Sequence, residues 1–286
     1  MLKFGKVVIV MVFVISMVSS ALAAPIQKFG GNQVDWQKET VEAVGFGAPI
    51  SNAANYAQAK ILARRAAIVD AYRNLVEIIQ GVQIDSETTM VNAMIANDTI
   101  ETRVQGLIKN ARITKEEVGS DGSYQVQLAV DLYGNNGLSA IAMDVLRPMN
   151  EPNIPFLEPS KEFLISYAAG NYTGVVIDAR GFKLQRAFSP AIFNSIGVGL
   201  YGVKNIDPDF AISKGMVTYF NSDNGKTPLI IGKDGLARAG NNPLVIKAEA
   251  LKKNISVVIS EEDGNRLLAE NKQSRFLERC AVVFVY

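Results

Sequence analysis

The sequence predicts an α+β protein: an antiparallel sheet packed by a long helix in a first domain, then a second, β-rich α+β domain. Three observations carry this. Ala53 to Gln80 contains no glycine or proline and is rich in alanine, the composition of one long helix. Tyr124 to Leu132 alternates apolar and polar residues at period two, as a half-buried strand does. Arg147 to Ser160 carries four prolines in 14 residues, which breaks the chain into two parts.

The first residues read as a targeting segment. Lys3 and Lys6 precede an apolar run from Val7 to Val18, and Ser19-Ser20-Ala21-Leu22-Ala23 offers an A-x-A cleavage site. The run is shorter than the roughly 20 residues a spanning helix needs. The expectation is a signal peptide over 1–23, a domain over 24–146, a linker over 147–160 and a domain over 161–286. After cleavage no integral membrane span remains, and the protein is exported, to the periplasm or to the cell surface.

Thr40 to Phe46 alternates well enough for a strand, and Trp36, the sole tryptophan, is its packing anchor or a recognition residue. On the long helix the wheel places Ala54, Ala57, Ile61, Ile68, Tyr72, Leu75 and Ile79 on the buried face, widened by Val69 and Val76. Lys60, Asp70, Asn74 and Glu77 fall opposite. Ser51 or Asn52 is the expected cap and Gly81 the stop. Two shorter helices are expected over 87–97 and 99–109. A hairpin follows, with strands at 111–118 and 124–132 and a turn at Ser120-Asp121-Gly122-Ser123. Leu138 to Leu146 is a short helix.

In the second half, strands are expected at 171–178, 212–220, 243–250, 255–260 and 281–286. Extended segments fall at 190–196 and 198–202, and a helix at 263–276. Residues 221–242 read as an exposed loop that holds at most a short strand at 229–231.

Composition excludes several chemistries. There is no histidine, so Ser-His-Asp and Cys-His catalysis and histidine-ligated metals fall away. One cysteine, Cys280, permits no internal disulfide and reads as an inert core thiol. The formal charge of +1 becomes −1 once Lys3 and Lys6 leave, which gives no support for nucleic acid as a partner. No cofactor is expected: there is no P-loop, and GVGLYG at 197–202 lacks the strand-to-helix context of a dinucleotide site.

Two spots are candidate sites. Asp178 and Arg180 share a face at the end of a strand, as a salt bridge or as an arginine that receives an anionic group. Arg64 and Arg65 form a basic spot on the long helix, or simply a solvated face. The cluster Glu261-Glu262-Asp263 suits a helix start.

The stretches ARRAAIVDAYRNLVEIIQGVQI, TRVQGLIKNARI and YQVQLAVDLYG resemble the LPP-twenty lipoprotein domain, and with it the N-terminal part of the flagellar assembly protein T, over about 34–134. The lipobox cysteine of that family is missing here. TGVVIDARGF and ISVVISEEDGNRLLAEN are similar to C-terminal modules of exported proteins that carry the first domain. The resemblance implies a bacterial cell-envelope protein without catalysis, with an envelope or flagellar protein as partner, or self-association. The alternative is a secreted hydrolase using paired carboxylates.

Overall fold

The fold is that of a computed structural model, which describes residues 31–147, 170–222, 229 and 234–286. The expected signal peptide and almost all of the linker lie outside them. The class is α+β, as the sequence predicts: three four-stranded sheets with helices packed on them.

The first half is one antiparallel sheet in the order β1-β2-β4-β3, formed by Gln33–Asp35, Thr40–Gly47, Tyr124–Asp131 and Arg112–Val118 respectively. The long helix α1, Tyr56–Gln80, covers one face of it, and Asn55, rather than Ser51 or Asn52, caps its start by accepting from the Gln58 amide. Helices α2 (Met90–Ala96) and α3 (Asp98–Lys109) follow, begun by Thr89 and Asn97 as side-chain caps. Helix α4, Leu138–Leu146, lies where the sequence places it.

The buried face of α1 differs from the wheel reading. Ala59, Ala63, Ala67, Ala71, Leu75 and Ile79 point inward, while Ala54, Ala57, Ile61 and Val69 are exposed. The partner strand explains it. A Cβ on Gly45 would lie 2.1 Å from the Ala71 nitrogen, and one on Gly47 would lie 2.0 Å from the Ala63 oxygen. The helix backbone therefore rests directly on a glycine strand, and only alanine fits between them. Beyond Gly45 the space widens and Leu75 and Ile79 fill it, each stabilising by about 1.5–3 kcal/mol. Reading by side-chain size picked the wrong stripe because the closest packing here uses the smallest residues.

The second half holds two sheets. One is mixed, in the order β10-β11-β6-β7: Ala250–Lys252, Ser256–Ile259, Ile192–Asn194 and Gly199–Tyr201. The other is wholly parallel, β8-β12-β5-β9: Thr218–Phe220, Val282–Val285, Gly174–Asp178 and Pro243–Lys247. The apolar runs VVFV and GVVI are buried on both faces, as parallel strands require. Val175, Ile177 and Phe284 face the main core, whereas Val176, Val283 and Val285 face Leu236 and Ala239 of the 3-10 segment Asp234–Ala239.

One expected strand is corrected. Ile212 lies in helix α5, Pro208–Lys214, and only Thr218–Phe220 is extended. Asp207 followed by Pro208 is a helix-start pair, and Gly215 at φ 76° ends the turn. Helix α6 spans Glu261–Ser274, two residues earlier than expected, because Ser260 caps it. GVGLYG begins at Gly197, in the turn between β6 and β7, and leads into a strand and not a helix.

The two halves share one core. Phe188 stands beside Trp36 (5.5 Å) and Tyr133 (6.4 Å), and Trp36 meets the edge of Tyr219 at 5.4 Å. Backbone bonds cross the same seam, from Ser189 N–H to the Ile84 carbonyl (2.7 Å) and from Gly134 N–H to that of Ile212 (2.7 Å).

Candidate functional site

The aromatic seam that joins the halves opens on one side into a cleft of about 710 Å³. Its walls come from distant segments: 33–37 beside β1, 81–83 after α1, 184–186 between β5 and β6, Asn221 after β8 and Tyr286 after β12. The last two leave the carboxyl ends of parallel strands, where open α/β sheets place their ligands. Clefts between packed units are the usual location as well.

The chemistry of the lining is aromatic and amide, with one cation. Trp36 forms part of the floor and is buried against Phe188 and Tyr219. Arg186 is exposed, donates from Nη1 to the Tyr286 hydroxyl (3.2 Å) and lies 5.6 Å from the centre of that ring. The remaining N–H groups of its guanidinium are available for a carboxylate or carbonyl. Gln33, Gln37, Gln185 and Asn221 add donors and acceptors around it. Asp35 also lines the cleft, but its Oδ1 accepts from the Gln37 and Lys38 amides (3.0 and 2.9 Å) and its Oδ2 faces Lys38. The carboxylate is spent on a local turn.

The residues singled out from sequence fall elsewhere. Arg180 docks on Asp178 at the end of β5, with Nε to Oδ1 at 2.8 Å and Nη2 to Oδ2 at 2.6 Å. Its backbone N–H also meets Oδ1 at 3.1 Å. The guanidinium holds the Asp178 carboxyl below its ordinary value. Arg64 and Arg65 are split by the helix: Arg64 pairs with Glu116 on β3, while Arg65 is exposed. They form no joint spot. Glu261, Glu262 and Asp263 occupy the first turn of α6, where Asp263 N–H bonds Ser260 Oγ. Cys280 is buried, and burial pushes its thiol up.

Among the described residues no group of three or more His, Cys, Asp or Glu side chains could hold a metal ion. None of their helices is long and apolar enough to cross a membrane. Sequence reasoning reached Trp36 but missed Arg186 and Tyr286. The cleft is assembled from five separated segments, so no local spacing announces it.

Fold and cleft together define the class: an α+β protein whose antiparallel and parallel sheets meet across an aromatic seam. The particular likeness lies in the second half. Residues 174–286 match the family model described as the second domain of Treponema pallidum Tp0624. That span starts at the first residue of β5 and takes in both C-terminal sheets. It does not reach residues 34–134, where the LPP-twenty resemblance is expected. Comparison with curated proteins gave no match.

Proposed function

We propose that this is an exported bacterial cell-envelope protein that acts by binding or assembly, and that it receives its partner in the cleft at Trp36, Arg186 and Tyr286. The observation that carries this reading is the composition of that cleft: aromatic surface and amides around the Arg186 guanidinium, which has no carboxylate against it among the described residues. Such a lining recognises a polar chain bearing a carboxylate, such as a peptide segment of an envelope or flagellar protein or of a second copy. A carboxylate-dependent hydrolase would need two acids facing one cleft, and here Asp35 is already engaged by two amides. Export rests on the signal-peptide pattern of 1–23. The envelope setting rests on the LPP-twenty resemblance of 34–134; the Treponema domain matched by 174–286 supports a bacterial source.

The test is site-specific crosslinking in the producing cell. A photoreactive residue at Gln185, in the cleft, should give a discrete adduct that disappears with Arg186→Glu. The same residue at exposed Ile196 should not give it. Identical adducts at both positions, or none at Gln185, would remove the cleft from the account.

A further inference from the structure

A second cleft, of about 500 Å³, lies at the opposite, amino-terminal edge of the parallel sheet. Its lining includes Asn171-Tyr172-Thr173 before β5, Ala281 before β12, and the ends of α5 and α6. We infer that this cleft, through Lys214, Arg238 and Arg279, binds a phosphomonoester group.

Two of the three cations have a structural duty that leaves donors over. Arg238 Nη1 donates to the Gly215 carbonyl (3.1 Å) and its Nη2 to that of Lys214, capping α5. Arg279 donates to the Arg275 and Ser274 carbonyls (3.3 and 2.9 Å), capping α6. A guanidinium carries five N–H donors, so each retains some for a ligand. Lys214 is exposed, and among the described residues its ammonium makes no hydrogen bond or ion pair.

The charges decide the ligand class. The ends of α5 and α6 supply roughly half a negative charge each, against three full positive ones. About two positive charges therefore face the cleft, and no acidic side chain among the described residues lines it. Two acids of the neighbouring segments are already engaged: Glu278 pairs with Arg275, and Glu270 accepts from the Gly170 amide (3.2 Å). A phosphomonoester carries about −1.5 to −2 at neutral pH, which matches that surplus; a single carboxylate meets half of it. Tyr172 and Phe210 wall the same space and suit the organic part of an ester. Arg266 holds the Tyr172 hydroxyl at 2.8 Å.

The ester could belong to a lipid headgroup or to a soluble molecule, and the experiment separates them. The purified exported chain is titrated with glycerol 3-phosphate by calorimetry, and sedimented with phosphatidylcholine vesicles containing phosphatidic acid. Lys214→Gln should weaken the binding about tenfold without changing the melting temperature in chloride, since it removes a charge and no cap. Lys272→Gln, on α6 but outside the lining, should stay within about twofold of wild type. Binding of the soluble ester alone, or of vesicles alone, assigns the source. Absence of both, or equal losses in the two lysine variants, overturns the inference.

Discussion

Arg180 grips Asp178 side-on through two hydrogen bonds of 2.8 and 2.6 Å, and the same carboxylate accepts the Arg180 backbone amide. The pair fixes the turn that leaves β5, one of the two inner strands of the parallel sheet. Both side chains are about one-fifth exposed, at 22% and 18%, so water screens the pair only in part. Asp178→Asn and Arg180→Gln should each cost about 1 kcal/mol, the upper end for accessible pairs. The double variant should cost less than the sum of the singles. Additive losses in chemical denaturation would show that the two residues act separately.

The same pair predicts a pH dependence. The Asp178 carboxyl is depressed by Arg180 in the folded state, so its contribution is complete above the unfolded value of about 3.9. It is lost as pH falls through the folded value. The stability gap between wild type and Asp178→Asn should therefore be constant near neutrality and close in acid. A gap that widened on acidification would refute the assignment.

Gly45 and Gly47 set the distance between β2 and α1. Gly45→Ala would drive a methyl group into the Ala67 and Ala71 backbone, at 2.2 and 2.1 Å. The expected cost is about 1–3 kcal/mol, the range for overpacking. Gly106→Ala, in α3 with nothing within 4 Å of the added carbon, should stabilise by about 0.5–1 kcal/mol. Opposite signs in a thermal melt support this packing; a neutral Gly45→Ala does not.

Phe188 is the ring of the second half that meets both Trp36 and Tyr133 of the first. Phe188→Ala should remove about 3–5 kcal/mol and split a single unfolding transition into two. One sharp calorimetric peak in the variant would mean that the shared core does not depend on this ring.

The class of fold was legible because it rests on periodicity and punctuation. The alternation over 124–132 and the uninterrupted stretch 53–80 gave β4 and α1 nearly residue for residue. Leu75 and Ile79 were read as buried and are, whereas Ala54, Ala57, Ile61 and Val69 were read as buried and are not. Asn74 was assigned to the solvent side, yet its Nδ2 donates to the Val44 carbonyl at 2.7 Å. The misreadings along α1 have one cause: the register of α1 follows the glycines of β2, which ends nine residues before the helix begins, and a helical wheel contains no partner. Parallel pairing was equally hidden, since an apolar run such as VVFV says that a strand is buried but not what flanks it. The cleft was the least legible feature, because Arg186 and Tyr286 meet only when the sheet forms.

The most direct measurement uses Trp36, which is unique in the chain. Incorporation of 5-fluorotryptophan places one fluorine nucleus at the floor of the cleft. On addition of envelope extract from the producing cell, the account predicts a saturable change of that single fluorine-19 resonance, abolished by Arg186→Glu. A resonance that does not respond to the extract, or that responds equally in the variant, would contradict binding in this cleft.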